Sequence, residues 1–139
     1  MRNEIGQFSL ELSPDTLSEA RARFAELVEQ LALDADTTHH VLIAVEEAVQ
    51  NIVVHGYKPD EWPGRLDISV WRDDGDLVFE LRDYAAPVDI AAIKPRVLGP
   101  AQRPGGLGLH LIRAAMDDVR YSHAPNGSGN ILLMRKRLG

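Results

Sequence analysis

Leu66-Asp67-Ile68-Ser69-Val70-Trp71-Arg72-Asp73-Asp74-Gly75-Asp76-Leu77-Val78-Phe79-Glu80-Leu81-Arg82-Asp83 is the stretch that decides the fold. Leu66, Ile68 and Val70 alternate with polar or mixed neighbours, and Leu77, Phe79 and Leu81 repeat the period. Successive side chains of a strand point to opposite faces, so each run presents one apolar face. Asp73-Asp74-Gly75 between them supplies the residues that a tight reversal needs, and the stretch is predicted to be an antiparallel hairpin. Its apolar face requires a cover.

Helices on either side can provide it. Upstream, Ile5, Phe8, Leu10 and Leu12 mark a strand over Ile5–Leu12, stopped by Ser13-Pro14-Asp15. A helix follows with Leu17, Ala20, Phe24, Leu27, Val28 and Leu31 at helical spacing. Asp34-Ala35-Asp36-Thr37 offers caps for a second helix over roughly 38–55, whose stripe is Val41, Ala44, Val45, Ala48, Val49 and Ile52. Gly56 ends it, and Pro59 and Pro63 mark a turn-rich loop. Downstream, 85–106 carries four prolines and three glycines, too long for an ordinary connection and typical of lids and binding loops. A third helix carries Leu107, Leu111, Ile112, Ala115 and Met116, and strands at about 118–123 and 129–137 close the chain. The expected fold class is α/β, a two-layer α+β sandwich: a mixed, largely antiparallel sheet with helices on one face.

Composition narrows the function classes. At 139 residues the chain suits one domain, 1–139, and its 45% hydrophobic and 26% charged residues are ordinary globular values. It has no cysteine, which removes disulfides, thiolate zinc sites and cysteine nucleophiles and points to a reducing cytosol. No apolar run approaches the ~20 residues of a membrane helix, and the first residues lead into a strand without a signal-peptide core. A cytoplasmic protein with no membrane contact is expected. The net charge of −6 argues against direct nucleic-acid binding. The one basic run, Arg135-Lys136-Arg137, reads as a solvated strand end.

Three constellations carry chemistry. Asp83 continues the Leu77-Phe79-Leu81 face as a carboxylate. Either the strand frays and leaves it in water as a turn-starting residue, or it accepts a ligand amine inside a pocket. Glu47, Asn51 and His55 stand four apart, along one edge of the second helix, away from its apolar stripe. They form either a solvated face or a site in which Glu47 accepts a proton and Asn51 offers an amide oxygen to Mg²⁺. His55 also suits a polar helix C-terminus. Glu46, about 100° around the helix from Glu47, reads as surface. Finally, Arg103-Pro104-Gly105-Gly106-Leu107-Gly108-Leu109 opens a helix, and glycines with free helix N–H groups suit phosphate, although turn glycines explain the run equally. Neither G-x-x-x-x-G-K-[ST] nor a dinucleotide fingerprint is present. His39 and His40 are adjacent rather than i,i+4, so a zinc site is not expected.

The order of these pieces is more specific than any one of them. Glu47-Ala-Val-Gln-Asn51-Ile-Val-Val-His55-Gly56-Tyr57, then Asp83-Tyr84-Ala85-Ala86-Pro87, then Gly105-Gly106-Leu107-Gly108-Leu109, then Gly129-Asn130-Ile131-Leu132-Leu133 resembles the GHKL ATPase superfamily over about residues 8–137. Within it the chain is most similar to the stand-alone bacterial anti-sigma-factor serine kinases of partner-switching systems. The His-Gly-Tyr after the motif Asn, Met116-Asp117 after the glycine-rich helix, and the short length carry that likeness.

The resemblance implies a Bergerat-type ATP-binding fold, ATP and Mg²⁺ as substrate and cofactor, and a role for each motif residue. Glu47 is the general base or water-polarising group, Asn51 the metal ligand, and Asp83 the acceptor of the adenine amine. Ala85 and Pro87 line the adenine side. Arg103, Gly105, Gly106, Leu107 and Gly108 lie against the phosphates, with 88–104 as a lid. One departure stands out: the family pattern D-x-G has Ala85 in place of its glycine, which forfeits easy access to positive φ. The implied activity is phosphorylation of an anti-anti-sigma (STAS-type) partner by a homodimer that also binds a sigma factor or comparable target. The alternative from another class is a nucleotide-gated protein-binding module without phosphoryl transfer. A third reading is an α/β domain that has lost nucleotide binding.

Overall fold

The computed structural model describes residues 2–53, 64–86, 111–125 and 129–138. The chain runs β1 (Arg2–Glu11), α1 (Thr16–Gln30), α2 (Ala35–Asn51), β2 (Arg65–Asp73), β3 (Asp76–Asp83), β4 (Asp118–His123) and β5 (Asn130–Arg137), with a helical turn at 111–115. The five strands form one sheet in the order β1-β2-β3-β5-β4. Every pairing among them is antiparallel, so the parallel component of the expected mixed sheet is not found among the described residues.

The hairpin forms as its sequence dictates. Asp73 pairs with Asp76, and the two residues between, Asp74 and Gly75, both take positive φ (50° and 88°). That is the Asp-Gly conformation whose twist matches two antiparallel strands. Arg135 of β5 then ties down both strand ends, with Nη2 2.9 Å from Asp73 and Nη1 3.1 Å from Asp76.

Among the described residues, helices cover one face of the sheet. Leu66, Ile68, Val70, Leu77, Phe79, Leu81, Leu132 and Met134 are buried there against Ala20, Phe24 and Val28 of α1 and Val41, Ala44, Val45, Ala48 and Val49 of α2. Phe24 joins the layers, edge-on to Phe8 at 5.6 Å and to Phe79 at 6.0 Å between centroids. Each such pair contributes about 0.5–1.5 kcal/mol beyond the buried area. The opposite face is mostly polar but carries Trp71, Val78, Ile131 and Leu133, and the Arg2 guanidinium lies 3.8 Å over the indole.

Two elements begin earlier than expected, and one surface reading changes. β1 begins at Arg2 rather than Ile5, because Arg2, Asn3 and Glu4 pair with Asp73, Arg72 and Trp71 through their backbones while their side chains stay exposed. α2 begins at Ala35 rather than about 38, because Asp34 is the cap that forms: its carboxylate accepts from Thr37 N at 2.7 Å. That bond holds the Asp34 carboxyl below its usual range. The basic run is a solvated strand end only at Arg137, which is exposed. Arg135 is ion-paired as above, and Lys136 Nζ donates to Ala115 O at 2.8 Å, fixing the end of the 111–115 turn. Glu46 lies at the surface and pairs with Arg21 at 2.7 Å.

Among the described residues, no helix is long and apolar enough to cross a membrane. His55, Gly56, Tyr57, the Pro59–Pro63 loop, Pro87, the 88–104 segment, Arg103, Gly105, Gly106, Leu107 and Gly108 lie outside the described residues.

Candidate functional site

β3 stays regular to Asp83, whose register partner is Leu66, so alternation carries its carboxylate onto the helix-covered face beyond Leu81. Only 5% of Asp83 is exposed. The solvated-turn reading is therefore overturned. An ionised carboxylate in such a place needs donors, and the protein supplies three to one oxygen. Oδ1 accepts from Ala85 N at 3.1 Å, Asn130 N at 3.2 Å and Asn130 Nδ2 at 3.0 Å. Burial alone thus does not demand a ligand; the donors fix the carboxylate's orientation.

Asn130 is itself buried, and its Nδ2 also donates to Ala86 O at 3.1 Å. One side chain therefore holds both the carboxylate and the turn that follows it. Gly129 makes this possible. It sits at φ +120°, and a Cβ there would come within 2.0 Å of Asp83 O. Only a residue without a side chain brings the start of β5 that close. Ala124 N donates to Gly129 O at 3.0 Å and secures the approach from the β4 side. Ala85, 2% exposed, has no positive φ. Its methyl is accommodated, its N–H is used, and the turn does not require the glycine of the family pattern.

Glu47 and Asn51 are half-buried on α2, one turn apart, beside the fully buried Val45 and Ala48. Neither makes a hydrogen bond to the Asp83 cluster among the described residues. The structure thus brings together Asp83 and Ala85 and adds Gly129 and Asn130, to which the sequence reading gave no role. The available signal was a polar residue directly after a glycine, opening an otherwise apolar strand.

Tyr121 of β4, paired with Leu132, is a further neighbour. Burial, with the charge of Asp83 adding to it and Arg113 opposing, pushes its phenol from an ordinary value of 10.0 up to about 12. The folded state thus favours the neutral phenol. The unfolded chain releases the proton first, so stability is unaffected below pH ~10 and falls as pH rises toward ~12. The two-unit difference corresponds to a loss on the order of 2–3 kcal/mol. Tyr121→Phe is expected to remove this component. Denaturant midpoints measured from pH 8 to 11.5 should fall less steeply for the variant, and parallel curves would show that the phenol is not held neutral.

Compared with known families, residues 10–136 match the model of the histidine kinase-like ATPase domain. The chain belongs to that family. Curated relatives of this histidine kinase-like ATPase domain include a serine-protein kinase RsbW of Oceanobacillus iheyensis, 28% identical over 88% of this chain and 80% of the relative. An anti-sigma F factor of Geobacillus thermodenitrificans is 30% identical over 99% of this chain and 94% of the relative. Among solved structures, the RsbU and RsbW domains of a Mycobacterium tuberculosis protein superpose with a TM-score of 0.67 at 19% identity, over 96% of this chain and 32% of that one. The SiaB-SiaC complex of Pseudomonas aeruginosa gives 0.62 at 17% identity, over 96% of this chain and 90% of the matched one. At those identities the structures speak for the fold, and the sequence relatives are named as a serine-protein kinase and an anti-sigma factor.

Proposed function

We propose that this ATPase domain is an ATP-dependent serine/threonine-protein kinase and anti-sigma factor. Its substrate would be an anti-anti-sigma (STAS-type) protein, and its second partner a sigma factor or similar target. The observation that carries the reading is the Asp83 carboxylate, buried at the end of an apolar strand with one oxygen fixed by three donors. An acceptor oriented in this way suits the exocyclic amine of adenine, and the family match and the anti-sigma and kinase relatives support the same reading.

In this proposal 1–139 is a single domain working as a homodimer in the cytoplasm, with 88–104 as its lid and no direct contact with nucleic acid. Asp83 binds the adenine amine while Ala85 and Pro87 shape the ring's surroundings. Arg103, Gly105, Gly106, Leu107 and Gly108 receive the phosphates. Glu47 takes the proton from the partner's hydroxyl as its oxygen bonds to the γ-phosphorus and ADP leaves. A half-buried Asn51, offering one neutral oxygen beside a carboxylate, suits Mg²⁺, which usually takes few protein ligands; the ion, when bound, neutralises phosphate charge.

A nucleotide-gated module without transfer drew its support from Ala85. The ordinary backbone of Ala85 and its hydrogen bond to Asp83 remove that ground. Incubation with labelled ATP and the STAS-type partner separates the two, since a module leaves the partner unlabelled.

Asp83→Asn tests the base contact. The new amide can turn its oxygen to the three donors, so folding is retained, but its NH₂ then meets the adenine amine donor to donor. Loss of a charge-assisted hydrogen bond, about 1.5–3 kcal/mol, predicts a roughly 10- to 100-fold weaker ATP affinity by calorimetry and a smaller change for GTP. Equal affinities in parent and variant would place Asp83 outside the site.

A further inference from the structure

Asp83 and its neighbour Tyr84 leave the end of β3 on opposite faces of the sheet, and the second residue is held there as well. Tyr84 Oη donates to Asp67 Oδ2. Asp67 lies on β2 between Ser9 of β1 and Arg82 of β3 in the register of the sheet. Its Oδ1 accepts from Ser9 Oγ at 2.6 Å and from Arg65 Nε at 2.7 Å. Two guanidiniums flank the phenol ring, Arg82 at 4.8 Å and Arg65 at 5.7 Å from its centroid. Burial pushes the Asp67 carboxyl up, but the bonds from Ser9, Tyr84 and Arg65 outweigh it and leave the group below its usual range. The same bond to Asp67 raises the Tyr84 hydroxyl above its own.

A surface tyrosine, 39% exposed, gains little by burial. What its hydroxyl does is fasten the first residue after β3 to the two preceding strands. The backbone between that latch and the Asn130 clamp is the backbone of Asp83 and Ala85, the residues assigned to the nucleobase. Recognition of one amine requires its acceptor to be held within about 0.5 Å, and a chain anchored on one face alone can pivot about that anchor.

We propose that Tyr84 is a positioning residue for base recognition: its hydrogen bond to Asp67 on the outer face of the sheet locks the turn that aims Asp83 at the adenine amine. The proposal rests on the reading of Asp83 as that acceptor. It also makes the grip on the base sensitive to β1, because Ser9 belongs to the same cluster as the latch.

Calorimetric affinities for ATP and GTP, with Mg²⁺ present, test it on the full chain. Tyr84→Phe deletes only the hydroxyl and keeps the ring between its two arginines. It is expected to reduce the ATP-to-GTP affinity ratio about threefold to tenfold, the equivalent of one ordinary hydrogen bond. The thermal midpoint should move little, and on an Asp67→Ala background the same change should have no further effect on the ratio. A merely structural latch would instead lower the midpoint and leave the ratio alone, which overturns the proposal. An undiminished ratio in Tyr84→Phe, in a protein whose parent does prefer ATP, overturns it while sparing the nucleotide site. A parent that binds neither nucleotide takes both readings down together.

Discussion

Glu47→Gln is expected to lower phosphoryl transfer by about 10²- to 10⁴-fold, the usual contribution of a general base, while ATP affinity stays near that of the parent. Gln has the same shape and keeps an acceptor oxygen, so it preserves contacts made by position and loses only the capacity to take a proton. The local structure allows a clean reading. Glu47 is half-buried on the outer part of α2 and makes no hydrogen bond within the described protein, so the exchange leaves no core group unpaired. The adjacent carboxylate offers no substitute: Glu46 is turned to the surface and held by Arg21 at 2.7 Å. Single-turnover transfer from labelled ATP to the partner, measured beside calorimetric binding, separates the two quantities. Transfer at the parent rate would strip Glu47 of its role, and parallel loss of binding and transfer would make it a binding group.

Much of the fold could be read in local pattern because local pattern determines it. Asp74-Gly75 takes the two positive φ values that its residue types favour, and the alternating Leu66-Ile68-Val70 and Leu77-Phe79-Leu81 faces are buried as their period requires. Edges were harder. Arg2, Asn3 and Glu4 are held in β1 by backbone pairing and by polar side chains, which leaves no hydrophobic signature in the sequence. Among several candidate caps for α2, only geometry shows that Asp34 takes the Thr37 N–H.

The site divides along the same line. Asp83 stood out because a carboxylate interrupts an apolar period, a purely local anomaly. Its clamp did not, because Asn130 lies 47 positions away and only the pairing of β3 with β5 brings the two strand ends together. Arg135 and Lys136 were misjudged for the same reason, since their partners, Asp73 and Ala115, lie 62 and 21 positions away. A charge run looks solvated whenever its counterpart lies elsewhere in the fold. The departure at Ala85 was legible as a residue but not as a consequence: whether a turn needs positive φ depends on where the next strand meets it, and here Gly129 rather than residue 85 provides the close approach.

That division makes Gly129→Ala the most informative single methyl group in the protein. The variant is expected to lose about 4 kcal/mol or more, from two sources that act together. A φ of +120° lies where L-residues are strained, at roughly 1–3 kcal/mol for such a backbone conformation. The added Cβ would also stand 2.0 Å from Asp83 O, a main-chain atom that cannot rotate away as a side chain would. Relief requires β5 to withdraw from β3 at its first residues, and withdrawal removes the Asn130 N and Nδ2 donors from the buried Asp83 carboxylate. Leaving a buried charged group short of hydrogen bonds costs about 1.5–3 kcal/mol per bond. Against a total stability on the order of 5–15 kcal/mol, the thermal midpoint should fall by at least about 10 °C. Whatever folds should also bind ATP poorly, because the clamp that aims Asp83 has opened. A variant that melts within 2 °C of the parent and binds ATP as tightly would show that the start of β5 does not sit against Asp83, and the acceptor would then lack the support on which its proposed role depends.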